Sequence, residues 1–174
     1  AFKDIVSRVS SIFIEEASQS PHLLSDMAKM EYYMAESYSG RVLIELLQNA
    51  DDAQSSKVLI LIKGNDVYFA NNGRPFDEND LIAISRSGAS GKERGKTIGY
   101  RGIGFKSTSY ISNDIVIHSN DAYFTFSKSL CAYILRVSDN DVPTIRIPIS
   151  LEKPEQNLIQ NIEALSQQGY TTIF

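Results

Sequence analysis

Apolar positions change their period several times along the chain. Over residues 1–19, Ile5, Val9, Ile12 and Phe13 recur at helical spacing, and Pro21 closes that segment or opens the next. Leu24, Met27, Ala28, Met30 and Met34 predict the buried face of a second helix over 23–36. The turn Ser37-Tyr38-Ser39-Gly40 restarts the chain, and a third helix runs to Ala53. From Lys57 the period shortens. Residues 57–62 and 66–70 read as strands around Lys63-Gly64-Asn65, a hairpin signal. Asn71 to Phe76 form a turn by composition, and 77–85 a short helix capped by an Asp. Over 86–101 periodicity vanishes into Gly, Ser, Lys and Arg, which predicts a mobile loop. A helical segment follows to about Tyr110. Strands are then predicted at 114–119, 123–127, 131–137 and 144–149, a helix over 154–168 closed by Gly169, and a last strand over 171–174. This order predicts an α+β two-layer sandwich, a mixed and mostly antiparallel sheet with helices on one face.

Composition narrows the setting. The 174 residues, 43% hydrophobic and 22% charged, fit a single domain over 1–174. A formal net charge of -4 argues against direct binding of nucleic acid or an anionic membrane through a global basic field. The lone Cys131 excludes an internal disulfide framework and a thiolate zinc site. No apolar run reaches transmembrane length, and charges interrupt the first residues, so neither a span nor a signal peptide is expected and cytoplasmic residence is the default. The chain opens without methionine and stops inside a strand pattern, which predicts a piece of a longer protein.

Candidate chemistry centres on ELLQNADDA, residues 45–53. At 100° per residue, Arg41, Glu45, Gln48, Asn49 and Asp52 share one stripe, while Leu43, Leu46, Leu47, Ala50 and Ala53 point away. Such a seam is either a solvated face or a wall able to hold a hydrated cation and polarise a water. The glycines at 99, 102 and 104 are either a flexible turn or a place where backbone N–H groups meet phosphate at a helix start. Lys92, Arg94, Lys96, Arg101 and Lys106 cluster around them. Lys106, just past the glycines, is the strongest candidate for a triphosphate partner.

Three separated pieces, ELLQNADDA, NNGRPF after a strand and IGYRGIGFKS after a loop, together resemble the GHKL ATPases. That superfamily holds the ninety-kilodalton heat-shock chaperones, type II topoisomerases, MutL proteins and sensor histidine kinases; the phrasing here is most similar to large sacsin-like proteins. Neither His22 nor His118 lies in a dimerising helix motif, which argues against a histidine kinase. The resemblance implies an ATP-binding Bergerat fold, with 1–39 an N-terminal arm and 86–101 the lid. It makes Glu45 the catalytic base for water, Asn49 the ligand of Mg²⁺, and Asp52 a support. It adds Asn71, Gly73, Ser87, Gly99, Arg101, Gly102, Ile103, Gly104, Phe105, Lys106 and Thr172 to the nucleotide site.

Where the family has an Asp reading the adenine amino group, Asn71 stands, able to accept through its amide oxygen; Pro75 replaces a glycine. The implied function is a Mg-ATP-hydrolysing module that switches a larger chaperone-like protein. It would act with downstream domains of its own chain and with scope for nucleotide-dependent homodimerisation. The alternatives are a nucleotide-gated dimerisation switch with little hydrolysis, and a nucleotide-free module in a nucleic-acid-processing or defence protein.

Overall fold

The structure, a computed structural model, describes residues 1–86 and 104–174. Helix α1 (Phe2–Gln19) buries Phe2, Val6, Val9 and Phe13, one side of the helix. Ser20 breaks it and Pro21 starts α2 (Pro21–Ser37), where a missing N–H costs nothing. On α2 the buried face is Leu24, Ala28, Glu31 and Ala35; Met30 is exposed, contrary to the expected methionine face. The reason is a buried carboxylate. Glu31 accepts the backbone N–H groups of Thr144 (2.7 Å) and Ile145 (2.9 Å), so α2 must turn that residue inward.

A 3₁₀ turn (Ser39–Arg41) leads into α3 (Val42–Asp52). The hairpin of β1 (Val58–Lys63) and β2 (Asp66–Asn71) closes through Gly64 at φ 59°, in register from Val58 opposite Asn71 to Lys63 opposite Asp66. Helix α4 (Glu78–Ser85) carries a capping box: Asp80 N–H donates to Asp77, and Asp77 N–H donates back to Asp80. After a 3₁₀ segment (Lys106–Tyr110) come β3 (Asp114–Ser119) and β4 (Ala122–Ser127). Residues 131–137, expected as a strand, belong mostly to helix α5 (Lys128–Leu135), which is capped by Ser127 and stopped by Arg136 in the left-handed region. The strand expected over 144–149 shrinks to β5 (Ile149–Ser150). Helix α6 (Gln156–Gln167) and strand β6 (Thr172–Ile173) finish the chain.

The described strands form one sheet in the order β1-β2-β6-β3-β4-β5, with every pairing antiparallel. The expected α+β two-layer sandwich stands, narrowed from a mixed sheet to an antiparallel one. Phe2, Val6, Val9 and Phe13 of α1 and Leu81 and Ile84 of α4 pack with Ile117, Phe124 and Phe126 of the sheet. Full burial of each such side chain contributes about 1.5–3 kcal/mol. One helix departs from the single-face arrangement. Strand alternation puts Tyr68, Ala70 and Ile173 on the face opposite Asn71 and Thr172, and α6 covers them with Ile162 and Leu165. No helix among the described residues is long and apolar enough to cross a membrane.

Lys106 is 3% exposed, and its ammonium donates to the carbonyls of Ser85 and Ile145. Burial pushes its pKa from 10.5 down to about 8, against the pull of Glu31. Between those two values the unfolded chain holds a proton that the folded chain has released, so stability rises with pH there and is flat below about 8. The urea midpoint is therefore expected to climb from pH 8 to 10, a gain on the order of 2 kcal/mol. Lys106→Met should remove that climb; an identical climb in the variant would assign it to other groups.

Candidate functional site

Helix α3 buries one residue of its polar stripe, Glu45, together with Val42, Ala50 and Ala53. Glu45 is 8% exposed, whereas Leu43, Ile44 and Leu47 are 49%, 48% and 43% exposed. Arg41, at the start of the helix, holds Glu45 through an ion pair of 3.5 Å. Gly104 lies directly on the Glu45 carboxylate, so close that a Cβ there would collide with it. Gly73 is pressed against the far end of α3: a Cβ would come within 2.6 Å of the Ala53 carbonyl oxygen and 2.8 Å of the Ala53 methyl. These two contacts require glycine for space rather than for backbone conformation.

A pocket opens beside this seam. Asn49 and Ala53 of α3 form one wall, Asn71 and Thr172 of the paired strands another, and Arg74, Phe76 and Asp80 the rim; Ile84 and Phe174 close the apolar end. Register explains the second wall: Asn71 sits opposite Thr172, and Ser119 of β3 opposite Thr172 from the other side. Asn71 is 3% exposed, and its amide oxygen accepts from the Ser55 hydroxyl (3.1 Å) and the Gly73 N–H (3.1 Å). The oxygen expected to accept from a base is thus already engaged on both lone pairs. Thr172 is 1% exposed and shares a hydrogen bond of 2.8 Å with Ser119, which also accepts from Phe76 N–H (2.9 Å).

The rim is ionic. Arg74 forms a two-pronged pair with Asp80, at 2.7 and 3.1 Å, and a further contact to Asp77 at 3.2 Å. The bond to Asp80 raises the Arg74 pKa further above its ordinary value. Asp80 is only 5% exposed, so this is a planar, partly desolvated pair and not a loose surface one.

Of the expected site residues, Asn49, Asn71 and Thr172 line the pocket, while Glu45 with Gly104 against it, and Gly73 against Ala53, lie outside its lining. Asp52 is half-buried on the same helix, outside the pocket lining. Phe105 and Lys106 are committed to the interior. Phe105 is a core residue, its ring 5.5 Å from that of Phe174 and 6.3 Å from that of Phe126. Lys106 is committed to two backbone carbonyls in the interior and does not line the pocket. Ser87, Gly99, Arg101, Gly102 and Ile103, with the basic residues 92, 94 and 96, lie outside the described residues.

Ser55, Arg74, Asp80 and Ser119 are the members of the site that sequence reading passed over. For Asp80 the signal was its position three residues after the cap Asp77. Nothing local marked Ser119, which arrives through strand pairing.

Over 144 residues, 78% of its length, the chain is 30% identical to Protein NO VEIN of Arabidopsis thaliana. The matched stretch spans 5% of that protein. No protein-family model matches the chain, and no solved structure does.

Gly104→Ala is expected to destabilise the fold by about 1–3 kcal/mol, because the added methyl must displace a buried carboxylate. Gly64→Ala serves as a comparison, since nothing lies within 4 Å there and only its φ of 59° is strained. Equal melting-point losses in the two variants would mean that the Glu45 contact imposes no constraint.

Proposed function

We propose that this domain binds a magnesium nucleoside triphosphate, ATP by its resemblance to the GHKL ATPases, and hydrolyses it to drive conformational switching of a larger sacsin-like or chaperone-like protein. One observation carries the reading. Helix α3, the turn after β2 and the final strand, far apart in sequence, meet at a pocket lined by Asn49, Asn71 and Thr172 among others.

Each residue has a physical role under this reading. Glu45, buried one turn from Asn49, orients and deprotonates the attacking water; phosphoryl transfer asks for little more from the protein than positioning and charge neutralisation. Asn49 offers an amide oxygen to Mg²⁺. Among the described residues no cluster of three His, Cys, Asp or Glu is placed to hold a metal. That suits a cation which arrives with phosphate, keeps most of its waters and needs one protein ligand. The phosphate-binding part of the proposal falls on 99–103, outside the described residues. Cytoplasmic residence and action on domains of the same chain belong to this proposal as well. A match confined to 5% of a relative's length supports its modular part.

A second reading, nucleotide-gated switching with little hydrolysis, is favoured by the Arg41–Glu45 pair, because the guanidinium competes for the carboxylate that would act on water. Glu45→Ala in the full-length protein separates the two. The first reading expects turnover to fall by about 10²–10⁴-fold with nucleotide affinity changed less than about threefold. An unchanged rate would remove Glu45 as the base and leave the switch.

A further inference from the structure

Strand β1 is the outer strand of the sheet, with β2 as its one strand neighbour among the described residues. We propose that this edge pairs antiparallel with the β1 of a second copy of the chain, joining the two sheets across a two-fold axis. β1 contributes no residue to the pocket, so the pairing stands apart from the nucleotide reading.

The register fixes which backbone groups face outward. Phe69 exchanges N–H···O bonds of 2.9 and 2.8 Å with Phe174, and so turns its backbone toward β6. Ile60, opposite Phe69, therefore directs its N–H and carbonyl away from β2, and strand alternation makes Val58 and Ile62 do the same. The side chains of these three residues lie on the sheet face opposite Leu59 and Leu61, which pack beneath α6. Ile60 is 45% exposed, Ile62 70%, and Val67, cross-strand from Ile62, 57%. A row of unpaired backbone groups flanked by exposed β-branched side chains is the template on which strand addition builds.

The usual protections of such an edge are missing. The register with β2 runs unbroken from Val58 to Lys63, so no bulge twists the strand away, and the strand contains no proline. Lys57 and Lys63 stand at its two ends, but both are drawn over the α6 face. Lys57 donates to the Gln168 carbonyl at 3.2 Å and lies 4.7 Å from the centre of the Tyr170 ring, and Lys63 donates to Asn161 at 3.0 Å.

Length and charge select the occupant. The opposite edge of the sheet, β5, has only Ile149–Ser150, too short to receive the whole of Val58–Lys63, so copies do not stack edge to edge in an open series. A second β1 presents outward backbone groups and β-branched side chains at the same alternate positions. Antiparallel pairing centred on Ile60 would set Lys57 opposite Lys63, and pairing centred on Leu59 or Ile62 would set an exposed isoleucine opposite Ser56 or Gly64. Centring on Leu61 sets Ile60 opposite Ile62 on both sides of the axis and brings no like charges together. The contact is small, so the pairing is weak and depends on concentration.

Hydrogen–deuterium exchange of the full-length protein, followed at the amides of Val58, Ile60 and Ile62 across a wide range of protein concentration, tests this. Exchange in wild type is expected to slow by about tenfold or more at high concentration. In Ile62→Lys, which places a charge on a side chain already in solvent, it is expected to stay fast throughout. Exchange that is independent of concentration in wild type overturns the pairing: slow throughout, another segment covers the edge; fast throughout, the edge stays bare. Slowing that persists unchanged in Ile62→Lys overturns it as well. The wild-type series decides the question even where the variant does not fold.

Discussion

The site depends on how closely backbone can approach the inward side of α3. Gly104 rests on the Glu45 carboxylate and Gly73 on the last turn of the helix, with no room for a methyl at either place. Close packing of this kind is ordinarily made by apolar side chains. Here the Glu45 carboxylate and two stretches of bare backbone share it with Val42, Ala50 and Ala53, while Leu43 and Leu47 are exposed. Asn49 is carried by that helix, and Asn71 and Arg74 flank Gly73 in the turn that rests on it.

Buried polar groups carry much of the remaining architecture. Glu31 ties α2 to the backbone at 144–145, and Lys106 ties the carbonyl of Ile145 to that of Ser85 at the end of α4. A buried carboxylate and a buried ammonium are each costly without partners. Satisfied by backbone groups, they specify where segments lacking regular structure must lie. The same logic operates at the pocket rim, where Asp80 closes the cap of α4 and pairs with Arg74 at once.

Much of this was legible in the sequence. Helical spacing placed α1, α2 and α4, the Gly64 hairpin was read from three residues, and the stripe on α3 held Asn49, which lines the pocket. The misreadings have physical causes. CAYIL is a short apolar run that suits a strand or a buried helix equally, and the deciding cap, Ser127, lies outside it. The alternating stretch before Ile149 looked like a strand because Ile145 and Ile147 do enter the core; the N–H groups of Thr144 and Ile145 go to Glu31 rather than to a neighbouring strand. Lys106 looked like a phosphate ligand because it follows a glycine motif, and no local pattern reports that its partners are carbonyls 21 and 39 residues away. The burial of Glu45 among Val42, Ala50 and Ala53, and the engagement of the Asn71 amide oxygen by Gly73 and Ser55, are contacts visible only in three dimensions.

Strand β6 lies between β2 and β3, so a two-residue strand near the end of the chain joins two hairpins that otherwise do not pair. During synthesis those hairpins are made early and wait. The sheet closes only when residues 172–174 have emerged, an arrangement of long-range pairing that slows folding. Thr172 arrives in that same step. The second wall of the pocket is thus completed only with the last strand pairing of the sheet.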